Sequence, residues 1–299
     1  MKITSDWHIH SQNSYDSACM TITDLVREAR EKGITDFGVT DHLNTPYNLP
    51  DIARSRQEYL SVAPSPHFHF GVEVSCVSQW ELDEIASGRH DHPVYGLRSG
   101  GQAGCDLAIG ITAEDLITYQ IEYVVGGVHW PMYIPMERGA VIRDYHRQNM
   151  YLATHPLVDI VAHPWWWMGY WMADDGTYPA EPWFDDFGVI PSSMHNEFAA
   201  AAVEHGTAVE INIGAHLANH AYPERFIHQY LEYLAELQSQ GVCLSIGSDC
   251  HEAHYDVDFE RTGSLLEGVG IRDEFWRLER ADTSSSSADE PVTPGAARA

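Results

Sequence analysis

Seven short apolar runs along the chain read as β-strands, and six of them end in residues that bind metal ions. Those ends are Trp7-His8-Ile9-His10, Thr40-Asp41-His42, Gly71-Val72-Glu73, Gly127-Val128-His129, Ala162-His163-Pro164 and Ser248-Asp249-Cys250-His251. The seventh run, Ala208-Val209-Glu210-Ile211-Asn212, ends in a carboxylate and an amide. Parallel α/β folds open one shared face at the C-termini of their strands and place their chemistry there. Imidazoles and carboxylates delivered to that face from the whole length of the chain predict one polynuclear metal site.

Between the runs the apolar period changes to that of helices, and this sets the fold class. Strands are expected up to His10 and over Phe37–Thr40, Phe68–Val72, Tyr123–Val128, Val158–Ala162, Ala208–Ile213 and Val242–Ile246. Helices are expected over Thr23–Lys32, Thr112–Tyr119, Glu137–Ala153, Ser193–His205, Pro223–Gln240 and Phe259–Glu267. Strand and helix in alternation make a parallel sheet with crossover helices. Seven βα units predict an α/β fold, a distorted (β/α)7 TIM-like barrel with the metal site at the C-terminal ends of its strands. Residues 1–280 read as one barrel domain, and the serine-rich 281–299 segment as a disordered tail. Two stretches, 76–111 and 164–191, exceed ordinary loop length.

Composition restricts the partners. The formal net charge of −27, with Lys2 and Lys32 the only lysines, repels phosphate backbones and argues against nucleic acid. No apolar stretch approaches the ~20 residues that span a bilayer, and the N-terminus enters the first strand without the apolar core of a signal peptide. The five cysteines are odd in number and lack CxxC spacing, which speaks against a disulfide framework or a thiolate zinc site and fits a cytoplasmic protein. Cys250, although flanked by Asp249 and His251, reads as a core thiol.

Side chains at i and i+2 of a strand share a face, so His8 can ligate with His10, and Asp249 with His251. Imidazole mixed with carboxylate suits Zn, Mn or Fe rather than Ca or Mg. Histidines without a strand-end position (His67, His69, His90, His92, His146, His155, His195, His205, His220 and His228) read as structural.

The order HxH, xDH, VE, VH, AHP and SDxH, from His8 to about Gly268, resembles the PHP family, the polymerase and histidinol phosphatase domains. That resemblance implies nine ligands: His8, His10, Asp16, His42, Glu73, His129, His163, Asp249 and His251. It also implies a trinuclear cluster, or two or three divalent transition-metal ions (Zn, Mn or Fe), with Glu73 and Asp249 bridging neighbouring metals. Asp41 reads as a partner that orients a ligating imidazole, and Glu210 and Asn212 as supporting groups.

The reaction so implied is hydrolysis of a small phosphomonoester, in which metals lower the pKa of a bridging water and stabilise the anionic transition state. Asp41, His216 and His254 are the candidate acids for the leaving group. Hydrolysis of an amide, ester or lactone by the same cluster is the alternative reaction, and a non-catalytic metal-binding domain is a third reading. Basic residues are scarce, and Arg138, Arg143 and Arg147, downstream of His129, are the candidates for a phosphate clamp or else a solvated helix face. The loop after His163 carries Trp165, Trp166 and Trp171 beside several acidic residues. It reads either as an aromatic wall for a planar or amino-bearing substrate, or as a lid packed on itself or on a second subunit of a homo-oligomer.

Overall fold

The computed structural model describes residues 1–17, 19–62, 65–90, 92, 100–167, 183 and 186–278. Trp171 and the 281–299 tail lie outside the described residues. In chain order the strands are β1 (Ser5–Asp6), β2 (Asp36–Val39), β3 (His42–Leu43), β4 (Phe68–Ser78), β5 (Leu107–Ile109), β6 (Tyr123–Gly127), β7 (Ile160–Ala162), β8 (Ala208–Asn212) and β9 (Leu244–Gly247). The α-helices are α1 (Ile22–Glu31), α2 (Leu49–Ser61), α3 (Gln79–Ala86), α4 (Ala113–Tyr119), α5 (Arg138–Thr154), α6 (Ser192–His205), α7 (Glu224–Ser239) and α8 (Phe259–Gly268).

Seven strands pair side by side in the order β1-β2-β4-β6-β7-β8-β9. Every neighbour in that path is parallel, with registers such as Phe37↔Phe68, Val72↔Val124, Ile160↔Ala208 and Ile211↔Ile246. The ends of the path meet. Trp7 N donates to Ile246 O at 2.9 Å, Asp249 N donates to His8 O at 2.7 Å, and Ile9 forms a parallel bridge with Cys250. The result is a nearly closed seven-stranded parallel barrel, as the alternation of patterns predicts.

Two departures from the sequence expectation have physical causes. β1 stops at Asp6 rather than His10, because the buried Asp6 carboxylate takes the ladder donors itself, accepting from Ser248 N at 2.9 Å and His8 N at 3.2 Å. β4 runs six residues beyond Val72, and all eleven of its residues are buried. Glu73 reads as the strand end in sequence, yet the strand continues past it, with the Ser75 hydroxyl 2.9 Å from His129 Nδ1 and Ser78 capping α3. β3 pairs with this extension in parallel and β5 in antiparallel fashion. The 76–111 stretch is therefore no plain loop: it holds the end of β4, β5 and α3, whose N-terminus is closed by a Ser78–Glu81 capping box. α2 carries little sequence signal of its own, since only Ile52 and Ser55 along it are buried.

Inside the barrel, Trp7, Tyr123, Val125, Ile160, Ala162 and Ala208 form an apolar cluster that Trp276 packs against. The Tyr123 hydroxyl donates to Trp7 O at 3.0 Å, so the ring is buried with its polar end satisfied. No helix among the described residues is long and apolar enough to cross a membrane.

Candidate metal centre

The residues read from strand ends converge on one carboxylate. Glu73, on β4, is buried, and its two oxygens face five imidazoles. Glu73 Oε2 lies 2.6 Å from His42 Nδ1, 3.3 Å from His8 Nε2 and 3.5 Å from His10 Nε2. Glu73 Oε1 lies 3.1 Å from His163 Nε2 and 3.2 Å from His129 Nε2. Asp249 Oδ1 faces His10 Nε2 at 3.2 Å and His8 Nε2 at 3.4 Å. Asp16 Oδ2 faces His42 Nε2 at 3.2 Å and His251 Nε2 at 3.4 Å. Within this set the groups His10/His42/His251, His8/His10/Asp249 and His42/Glu73/His129 each bring three donor atoms within 4.8 Å of one another.

The hydrogen bonds on the outer side of the rings fix which nitrogen faces inward. His8 Nδ1–H donates to Glu210 Oε1 at 2.7 Å. The Ser14 hydroxyl donates to Asp41 Oδ1 at 3.0 Å, so it accepts from His10 Nδ1, also at 3.0 Å. In the same way the Ser75 hydroxyl donates to Asn44 Oδ1 and accepts from His129 Nδ1 at 2.9 Å. His251 Nδ1–H donates to the Asp249 carbonyl at 2.9 Å. Four imidazoles thereby turn an Nε2 lone pair toward carboxylates and toward each other. His8 Nε2 and His10 Nε2 stand 3.0 Å apart, and His42 Nε2 and His251 Nε2 stand 3.2 Å apart. Lone pairs at that separation repel unless a proton or a cation lies between them. His163 Nδ1 is buried without a hydrogen-bond partner among the described residues, and the close His42 Nδ1–Glu73 Oε2 contact is out of line for a hydrogen bond. This donor set fits borderline divalent cations.

Charge balance inside the cluster points the same way. Burial would raise the Glu73 carboxyl, but His42, His8 and His129 outweigh it and hold the group well below the usual range. Burial likewise opposes the low pKa of Asp249, which His8, His10 and His251 enforce. His10 is pushed well down by burial and by the neighbouring His251 and His42. His129 is lowered by burial.

The backbone is shaped to the cluster. His163 and Asp249 adopt left-handed φ of 28° and 53°, a region that costs a side-chain-bearing residue about 1–3 kcal/mol. Glycine is required at 127. A Cβ there would come within 2.7 Å of His129 Cε1, 2.8 Å of His163 Cε1 and 2.9 Å of Glu73 Oε1. Glu210 and Asn212 from β8 brace this side: Glu210 Oε2 accepts from His163 N at 2.7 Å, and Asn212 Nδ2 donates to Glu210 at 2.9 Å and to Asp249 at 3.1 Å.

A cavity of about 680 Å³ opens over the cluster, with Asp16, His42, His129, His163, Asp249 and His251 on its floor. The candidate acids do not line it. Asp41 is buried, and its carboxylate accepts from Ser11 N at 2.6 Å, from the Ser11 hydroxyl at 2.7 Å, and from the hydroxyls of Ser14 and Ser55. It is linked to His10 through the Ser14 hydroxyl. His216 is buried beneath the lining and stacked 4.1 Å from Tyr230, and burial pushes its pKa well down, so it is a poor proton donor near neutrality. The His254 side chain is 83% exposed and lies 3.6 Å from Glu28.

Of the two readings of the α5 arginines, a phosphate clamp or a helix face, their placement favours the second. Arg138, Arg143 and Arg147 belong to α5, and none of them lines the cavity. Arg147 pairs with Asp144 at 2.9 Å and donates to Cys105 O at 2.7 Å, holding the 100–106 segment instead. The arginine in the cavity lining is Arg261, on α8. Of the tryptophans, Trp166 lines the cavity, its ring 5.0 Å from that of His163. Trp165 and Trp167 are buried against Trp183 instead, so they belong to the core. Trp130 and Tyr15 also line the cavity; adjacency to His129 and Asp16 is the sequence signal for both.

The PHP domain family model matches residues 6–163, more than half of the chain. A probable phosphatase of Shewanella pealeana is 26% identical over 273 residues, covering 89% of this chain and 85% of that protein. The probable phosphatase YcdX of Escherichia coli is 23% identical over 269 residues, covering 88% and 85%. Among solved structures, a histidinol phosphate phosphatase from Lactococcus lactis, complexed with zinc, L-histidinol and phosphate, superposes with a TM-score of 0.54. It is 16% identical and covers 90% of this chain and 94% of its own, a likeness of fold.

Proposed function

The chain belongs to the PHP domain family, and from that premise we propose that it is a metal-dependent phosphoesterase that hydrolyses a phosphomonoester of a small molecule. One observation carries the reading. His8, His10, His129 and His251 each spend Nδ1–H on an outer acceptor and present Nε2 to Glu73, Asp249 or Asp16. Such a set holds cations, and the nine donors suit two or three ions of Zn, Mn or Fe better than one. The names of the relatives, probable phosphatases, and the zinc and phosphate complexed with the Lactococcus lactis enzyme support the same chemistry.

Bound there, the ions supply Lewis acidity, which lowers the pKa of a coordinated water and offsets charge on the phosphoryl group. The protein's own part is positioning. Glu73, with imidazoles on both oxygens, and Asp249, facing His8 and His10, are the carboxylates that would hold the ions together with those imidazoles. Glu210, the Ser14–Asp41 pair and the Ser75–Asn44 pair hold the imidazoles in one tautomer. Trp130 and Trp166 keep one side of the floor dry. The same reading makes residues 1–280 a single barrel domain acting on a small molecule in the cytoplasm, in keeping with five unpaired cysteines.

One observation favours a second reading. Arg261 is the sole arginine lining the cavity among the described residues, and a hydrolase of esters, amides or lactones needs no phosphate clamp. A panel of phosphomonoesters, esters and lactones, run on protein reconstituted with Zn, Mn or Fe, separates the two. Metal-dependent phosphate release with competitive inhibition by inorganic phosphate is the expected result. Ester or lactone turnover without phosphomonoester turnover would overturn it.

A further inference from the structure

Arg261 lines the cavity without an ion pair; Arg30 and Arg143 also lack one among the described residues of this acidic chain, but neither lines the cavity. Acidic residues number 44 against 17 basic ones, and Arg27, Arg54, Arg89, Arg147, Arg225, Arg272 and Arg277 each pair with a carboxylate. The Arg261 guanidinium has no ion pair among the described residues, although two acids lie close to it in sequence. Asp258 is occupied as the cap of α8, accepting from the Arg261 backbone N at 2.9 Å. Asp256 pairs with Lys32 at 3.0 Å. Arg261 is exposed, and it lines the cavity without pairing with Asp16 or Asp249, the cluster carboxylates on the floor. Its cavity neighbours Val257 and Leu265 are apolar, as are Leu217 and Trp166 elsewhere in the lining.

We propose that Arg261 recognises a second anionic group, a carboxylate or a phosphate, carried on the leaving group of the substrate. The inference rests on the phosphoesterase reading. The transferred phosphate sits at the metal floor, the apolar body of the leaving group lies along Trp166 and Leu217, and its anionic end meets the guanidinium. The planar fork of arginine matches both carboxylate and phosphate, and a cavity of about 680 Å³ holds a ring-sized body between the two ends. An arginine in the cavity lining without a carboxylate partner is available to an anion that the substrate itself brings.

The test compares kcat/KM for phenyl phosphate, carboxyphenyl phosphate and phenylene bisphosphate on metal-loaded wild type, Arg261→Ala and Arg261→Glu. Wild type should prefer one anion-bearing ester over phenyl phosphate by about 10- to 100-fold, the worth of a charge-assisted contact. Whichever ester is preferred names the anion as carboxylate or phosphate. Arg261→Ala should collapse that ratio toward one, and Arg261→Glu should move it toward an aminomethylphenyl phosphate. Equal kcat/KM for all esters in wild type overturns the inference while leaving the phosphoesterase reading intact. A ratio unchanged in Arg261→Ala overturns it too, even if both rates fall, since the arginine would then act on the transferred phosphate. Hydrolysis of none of the esters overturns the phosphoesterase reading and this inference with it.

Discussion

On and beneath the floor of the cavity, His42, His129 and His163, with His8, His10 and Glu73 below them, are buried, and most of these rings are fixed by a second hydrogen bond on the outer side. On the far wall, Arg261, Asp256 and Asp258 of the α8 region are exposed; Asp258 caps the helix and Asp256 pairs with Lys32 at 3.0 Å. The floor is made by strand ends and the wall by helix and loop. Buried donors that depend on one another tolerate no loss, because each removal leaves unpaired polar groups behind. Exposed wall residues can change singly at little cost to the fold. On the proposed reading, the chemistry falls to the floor and the choice of substrate to the wall.

The largest effect should come from Glu73. Glu73→Ala removes the one carboxylate that faces five imidazoles, leaving them to repel one another. Metal content should fall to near zero and kcat/KM by about three orders of magnitude or more. Elemental analysis beside steady-state kinetics decides the matter, and a variant that keeps both would break the assignment of the floor.

Gly127→Ala should act on the same groups more gently. The added methyl meets His129, His163 and Glu73 below 3.0 Å, so these buried groups must shift; overpacking costs about 1–3 kcal/mol, and the barrel should fold but melt earlier. Ligand placement should suffer, with metal affinity weakened about 10- to 100-fold, as when a group that orients ligands is lost. A competitive chelator titration measures this. Unchanged affinity would mean that the floor is looser than its distances indicate.

The floor is legible in the sequence and the wall is not, for reasons that follow from the same contrast. Strand alternation places His8 with His10 and Asp249 with His251, so strand ends read one after another gather the donors without knowledge of the third dimension. Glu210 reads as a supporting group from its strand position, and it sits under His8. Arg261 lies ten residues past the last ligand on a separate helix, where nothing in a strand-end pattern points to it. Proximity in sequence to His129 favours Arg138, Arg143 and Arg147, yet α5 carries them past the cavity and spends Arg147 on Asp144. His216 follows β8 closely but is drawn under the lining by its stack with Tyr230. The length of β4 is hidden because its polar residues serve the site, so its apolar pattern ends where the function begins.

The support beneath the wall should respond to pH. His195 on α6 packs among Trp165, Phe187 and Tyr233, and burial, with His146 nearby, lowers its pKa to about 4. In the unfolded chain it titrates near 6.5, so the unfolded state binds a proton first as pH falls. Its contribution is fully present above about pH 6.5, declines from there to about pH 4, and is constant below that. After allowance for partial exposure the loss is roughly 2 kcal/mol. Urea midpoints of wild type and His195→Leu, measured from pH 7.5 to 4, should diverge across that window. Parallel curves would show that the ring is solvated and does not brace the Trp165 turn.

The smallest effect should be that of Trp166→Ala, and it tests where floor ends and wall begins. Trp166 N donates to the His163 carbonyl at 2.9 Å, and the ring lies 5.0 Å from that of His163 and 6.0 Å from that of His129. It is half-buried, whereas Trp165 and Trp167 on either side are buried in the core. Removing it should therefore open the wall without cutting a bond to the cluster. An aromatic contact is worth about 0.5–1.5 kcal/mol, which predicts KM raised about 3- to 10-fold for a ring-bearing ester with metal content unchanged. An alkyl phosphate should lose less, because it offers no face for stacking. Equal losses on both esters, accompanied by loss of metal, would place Trp166 with the floor as a brace for His163. Unchanged kinetics with a smaller molecular mass in solution would assign the ring to a contact between subunits and remove it from the wall.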